Sequence, residues 1–247
     1  MERNIRTQAV VLSVRKYGEL HKAVTLLSRD LGLIDAIIYG GRKGKKTALA
    51  PLFSVNDALL YFNPVKKEYS VVEAAGTFIP NTITQDLALT YTASFFCEII
   101  ARAASDENER AFDLLCASLE KLEKNPELRK RITISFIWKL MQISGTAPDL
   151  SACPVCEREL SDDETLLFST SLNAPCCKSC SDSDSLVLMP GSRRYLRYSM
   201  PMELDQAVDI VLNPAAENRI LSYMLRWAQI FSQTGLRTLK DLSVFLS

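Results

Sequence analysis

The sequence predicts an α+β chain of more than one domain: an N-terminal OB-fold β-barrel, then an α-helical domain with an inserted four-cysteine zinc module. Three observations predict it. Strand-like segments fill the chain up to Pro80, and apolar periodicity turns helical after it. Two Cys-x-x-Cys pairs, Cys153/Cys156 and Cys177/Cys180, then interrupt the helical half. The expected boundaries are 1–80 for the barrel and 81–247 for the helical domain, with the zinc insertion at about 150–186.

The strands come in order. Residues 9–14 form a valine-rich apolar run, and residues 23–27 form a second. Arg29-Asp30-Leu31-Gly32 reads as a tight turn into a third strand over 33–39. A glycine-rich basic loop follows over 40–46. Segments 55–62 and 69–78 supply the fourth and fifth strands, separated by Asn63-Pro64 and the pair Lys66, Lys67. Five short strands in this length suit a small closed barrel; the OB-fold is the common case, and an SH3-like barrel fits the pattern almost as well.

Beyond Pro80, Thr82 and Gln85 have the spacing of a capping box. Leu87, Tyr91, Phe95, Ile99 and Ala103 continue as one apolar face. A second helix is expected from about Asn108 to Lys124. Asn125-Pro126 and Asn213-Pro214 each read as an N-cap with proline at the first helical position. The first opens a helix through Ile132, Phe136 and Leu140; the second opens the last long helix, through Ile220, Met224, Trp227 and Phe231, which Gly235 stops.

The cysteines carry the most specific signal. Two such pairs about twenty residues apart suit a closed tetrahedral site, in which four thiolates leave no position for water or substrate. The expected cofactor is therefore one structural Zn²⁺, with Cys176 as an alternative to Cys177. A redox dithiol is the rival, but it needs no second pair. Cys97 and Cys116 fall in helical patterns and read as small core residues.

Net charge is zero, yet the halves differ: residues 1–80 carry twelve Lys/Arg against seven Asp/Glu, and the remainder reverses the sign. An acidic partner feels the local excess. Arg42, Lys43, Lys45 and Lys46 crowd the glycine loop, Arg15 and Lys16 end the first strand, and Lys66 and Lys67 occupy another turn. With nearby aromatics, Tyr39 first among them, these are the elements of a groove that tracks phosphates and stacks bases. Arg193, Arg194 and Arg197 follow the zinc module and suit either phosphate contact or ion pairs with that acidic module. Arg129, Lys130 and Arg131 sit near an expected helix start, where cations oppose the helix dipole and favour an anionic partner.

Catalysis finds little support: His21 is the only histidine, and no phosphate-binding P-loop or dinucleotide fingerprint is present. Seven cysteines, an odd number, favour a reducing compartment. No apolar run is long enough to span a bilayer, and the start reads directly into a strand pattern, so a cytoplasmic location is expected.

The order of features has a precedent. Thr7-Gln8-Ala9-Val10-Val11-Leu12, Tyr17-Gly18-Glu19, Leu31-Gly32-Leu33-Ile34 and Gly40-Gly41-Arg42-Lys43, followed by helices and the paired cysteines, resemble the RecO family of bacterial recombination mediators over essentially the whole chain. The resemblance implies an OB-fold that binds single- and double-stranded DNA and anneals complementary strands. It implies action beside RecR to help RecA displace single-strand-binding protein, near the nucleoid and without a covalent step. It maps the glycine-basic loop onto Gly41, Arg42 and Lys43. No short motif carries over a site for the acidic tail of the single-strand-binding protein; Arg129, Lys130 and Arg131, near an apolar helix face, are the expectation for it. The alternatives are an RNA-binding OB protein and a protein-interaction adaptor with a structural zinc.

Overall fold

The computed structural model describes residues 3–42, 50–103, 108–232, 235–239 and 242. The chain divides into two compact units, Met1–Pro126 and Glu127–Ser247.

Five strands close the first unit into a barrel: β1 (Asn4–Tyr17), β2 (His21–Ser28), β3 (Gly32–Ile38), β4 (Val55–Asn63) and β5 (Glu68–Phe78), in the order β1-β2-β3-β5-β4. β1 is far longer than its apolar run suggests. Its first half pairs with β4, from Asn4 opposite Tyr61 to Val10 opposite Val55. Its second half pairs with β2, from Ala9 opposite Ser28 to Tyr17 opposite His21. A bulge between Val11 and Ser13 breaks the register where the strand turns the corner. The polar residues at its ends hid this length from the apolar pattern.

Small and branched side chains fill the barrel: Ala9, Val11, Val24, Leu26, Ile34, Ala36, Ile38, Ala58, Leu60 and Val71. Alternation is clear on β3, where Ile34 and Ala36 point inward and Leu33 and Asp35 outward. On β1, Ala9 to Leu12 are buried without alternation, because helices cover the outer face there.

Those helices are α1 (Thr82–Gln85), α2 (Leu87–Arg102) and α3 (Asn108–Lys124). α2 packs on β1, and α3 packs on β1, β2 and β3. The secondary structure therefore changes character near residue 80, while the compact unit runs on to Pro126. The expected single helix from Thr82 is two. Asp86 is extended, with φ −112° and ψ 126°, and its carboxylate caps α2 by accepting from the Leu89 amide at 2.9 Å. The expected Thr82 capping box is absent. Glu123 of α3 caps α1 instead, accepting from the amides of Asn81, Thr82 and Ile83 at 2.7–2.9 Å. Burial opposes ionisation of Glu123, but these N–H donors outweigh it and hold the carboxyl below its ordinary range.

The second unit contains α4 (Arg129–Ile143), α5 (Pro190–Ser199), α6 (Leu204–Asp209) and α7 (Pro214–Phe231). Asn213 caps α7 as its Asn-Pro start predicts, accepting from the Ala216 amide at 2.8 Å. The first Asn-Pro differs: Pro126–Leu128 form a 3-10 turn, and α4 begins after it. Between α4 and α5 lies a small antiparallel sheet of β6 (Leu166–Ser169), β7 (Ala174–Cys176) and β8 (Ser183–Leu188), ordered β7-β6-β8. The inserted module thus reaches Leu188, slightly past its expected end. No helix among the described residues is long and apolar enough to cross a membrane.

Candidate nucleic-acid interface and metal centre

The four sulfurs of Cys153, Cys156, Cys177 and Cys180 lie within 4.8 Å of one another. Each pair sits on a tight turn. In the first, the Glu157 amide closes onto the Cys153 carbonyl at 2.8 Å, and Glu157 takes a left-handed φ of 60°. In the second, Lys178–Cys180 make a 3-10 turn with the Cys180 amide on the Cys177 carbonyl at 3.0 Å. The Cys156 and Cys177 sulfurs are 3.9 Å apart. A tetrahedral zinc with bonds of about 2.3 Å requires sulfur–sulfur edges of about 3.8 Å.

The thiols themselves ask for a cation. Burial resists ionisation of Cys153, but the amides of Cys177, Cys156 and Val155 bring it down to about 6. The neighbouring sulfurs of Cys177 and Cys156, with burial, push Cys180 up to about 12. Four thiolates cannot share so small a volume without compensation, and a divalent ion supplies it. The donor set therefore fits a structural Zn²⁺. Cys176 is not among the four: it is buried in β7 opposite Leu167.

Arginines tie this module together. The Arg193 side chain is buried, and its guanidinium donates to the carbonyls of Leu150 (2.8 Å), Leu160 (2.8 Å) and Ser161. Its reading as a phosphate contact is corrected, because no donor group of it faces solvent. Arg197 reaches Asp162 at 2.5 Å, the ion-pair alternative of the sequence reading. Arg158 forks onto Glu164 at 2.5 and 3.0 Å. Arg194 stays exposed on α5.

Arg131 is tied within its own unit. It donates to the carbonyl of Val208 at 3.1 Å and lies 3.5 Å from Glu217, so it staples α4 to α6 and α7. Lys130 donates to the Asn218 amide oxygen at 3.1 Å, and Arg129 is half-buried beside them. Lys139, which the sequence did not single out, closes the end of α5 by donating to the Ser199 and Met200 carbonyls at 3.2 and 2.7 Å.

The barrel cations are disposed differently. Register makes neighbours of the end of β1, the start of β2 and the end of β3, and the start of β5 adjoins the end of β3: Lys16 faces Lys22, Lys22 faces Ile38, and Ile37 faces Ser70. Arg15, Lys16, Tyr39, Arg42, Lys66 and Lys67 are all exposed at these strand ends and turns. Lys43, Lys45 and Lys46 lie outside the described residues. Arg15 stands 3.7 Å from Asp35, a loose exposed pair. Arg42 donates to the Glu19 carbonyl at 2.9 Å and its amide to the Leu20 carbonyl at 3.1 Å, locking its loop to the β1–β2 turn.

The loop's first two glycines serve this turn. Gly40 takes φ +73°, and a Cβ on Gly41 would stand 2.8 Å from the Ile38 side chain. The Gly40 amide donates to His21 Nδ1 at 3.0 Å. The Tyr39 hydroxyl donates to Glu68 at 2.7 Å, and that carboxylate holds the phenol above its ordinary range, so it remains the donor. Tyr17 and His21 join Tyr39 at this end. The sequence places Tyr17 beside Arg15 and Lys16 at the end of the first strand and His21 in the next turn, but neither is among the expected site residues.

A basic, aromatic end on a five-stranded OB-type barrel, joined to a helical unit with a structural four-thiolate knuckle, defines a nucleic-acid-binding accessory protein. Two family models cover the chain: Recombination protein O N terminal over residues 1–76, and Recombination protein O C terminal over residues 84–237. The chain belongs to the RecO family. It is 29% identical to the DNA repair protein RecO of Bifidobacterium animalis over 95% of this chain and 97% of that one. It is 26% identical to that of Alkaliphilus metalliredigens, over 85% and 86%, and 27% identical to that of Bacillus subtilis, over 84% and 81%.

Proposed function

We propose that this chain is a DNA-binding recombination mediator of DNA repair, acting by binding and not by a covalent step. It binds single- and double-stranded DNA through the basic end of the barrel, anneals complementary strands, and works with RecR to help RecA onto strands covered by single-strand-binding protein. The observation that carries this reading is that Arg15, Lys16, Arg42, Lys66 and Lys67 are all exposed at strand ends and turns of the barrel. Several phosphates neutralised together release counterions, so affinity falls steeply with salt. Strands coated by such cations repel each other less and pair faster. Family membership supports the partners, and the zinc module supports the fold of the second unit. Arg194 is a further exposed cation available to phosphate.

The test is titration of a fluorescent single strand across a salt series, with annealing followed in the same buffer. Tight binding with a steep negative salt slope and accelerated annealing is expected. Binding that ignores salt, or no binding at low salt, would refute the reading. A strong preference for RNA over DNA of equal length would move the protein to the RNA-binding alternative.

A further inference from the structure

The basic end of the barrel also carries a row of rings. Tyr17 closes β1, His21 opens β2 and Tyr39 follows β3. The Tyr17 and His21 centroids are 6.4 Å apart and tilted by 35°; those of His21 and Tyr39 are 5.1 Å apart, edge to face. Tyr17 is 47% and Tyr39 41% exposed, beside Leu20 at 41% and Val14 at 36%. Two of the three rings are held in place: Glu68 holds the Tyr39 hydroxyl and the Gly40 amide holds His21. That fixing lowers the ordering cost of anything that stacks on them.

We propose that Tyr17, His21 and Tyr39 form a stacking ledge that makes this barrel prefer unpaired bases to paired ones. The inference rests on the nucleic-acid reading above and adds the feature that selects strand state. Cations bind phosphates of single strands and duplexes alike. In a duplex, each base face is already covered by its neighbours. A ring ledge gains stacking contacts only from an unpaired strand. His21 is a positioning residue here: its Nδ1 accepts from Gly40, so the same side chain sets the aromatic row and the start of the Arg42 loop.

The experiment compares three probes: a fluorescent single strand, the same strand with abasic sites in place of its bases, and its duplex. The Tyr17→Leu, Tyr39→Leu double variant should lower the ratio of single-strand to duplex affinity about tenfold. Abasic substitution should weaken the unaltered protein to a similar degree and the double variant hardly at all. Tyr17→Phe with Tyr39→Phe restores the rings and should recover the ratio, which separates stacking from a general loss of fold. Equal losses on all three probes, or an unchanged ratio, would overturn the ledge while leaving the phosphate-binding reading intact. Failure of the unaltered protein to bind any probe would overturn both. Arg42→Ala is the counter-control and should weaken all three probes together.

Discussion

Arginine has opposite fates at the barrel end and around the metal module. At the barrel end, Arg15 and Arg42 are exposed, and the polar partners of Arg42 are carbonyls of the β1–β2 turn. In the metal module, Arg158 and Arg197 are matched to Glu164 and Asp162, and Arg193 is buried on three carbonyls. The acidic surroundings of the module consume its cations as scaffold; the barrel end leaves its cations to solvent. A count of basic residues does not distinguish these cases. The neighbours within hydrogen-bond reach do.

The most forceful way to break the contrast is to remove the metal. Cys156→Ser should abolish stoichiometric zinc and release much of the several kcal/mol that metal binding lends such a module. Zinc content with hydrogen exchange over residues 150–188 reads it, and fast exchange throughout that stretch is expected. Unchanged exchange in a zinc-free variant would show that the sheet needs no metal.

Next comes Arg193→Met. It strands the carbonyls of Leu150 and Leu160 without donors, while Ser161 keeps the Glu164 amide at 3.0 Å. A loss of about 3 kcal/mol or more in urea unfolding is expected, with DNA affinity little changed. A loss of affinity without a loss of stability would restore Arg193 to the ligand-facing class.

Glu123→Gln should cost about 1–2 kcal/mol, since it weakens one charged cap shared by three amides. The sign with pH is fixed by the lowered carboxyl. Its contribution is complete above the ordinary glutamate range and disappears as pH falls through the depressed value. Acid titration of stability should therefore be shallower in the variant than in the unaltered protein.

Smallest is Arg42→Ala, expected to cost several-fold in oligonucleotide affinity and to reduce the salt slope by about one. The thermal midpoint should move little, because the side chain bonds only exposed turn carbonyls. Arg197→Ala, paired with Asp162, should leave the slope unchanged.

The comparison also shows what a sequence can tell. The strands were legible because inward and outward positions alternate locally, and the zinc ligands because their chemistry fixes their spacing. The break at Asp86 was not, since the Leu87-to-Ala103 face continues smoothly past it and the cap that holds α1 comes from Glu123. Arg193, Arg194 and Arg197 look alike in sequence, and only folding separates one buried staple, one exposed cation and one ion pair. In each case the deciding partner lies far away along the chain.

The closure of the barrel has a mechanical consequence. Four of its seams are antiparallel and carry seven to nine residue pairs each. The fifth joins β3 to β5 in parallel through two pairs, Ala36 with Tyr69 and Ile37 with Ser70. A hoop spreads at its thinnest joint, and just past this one the Tyr39–Glu68 bond acts as a latch across the gap. The barrel is thus a split ring whose narrowest seam lies beside its row of rings, Tyr17, His21 and Tyr39.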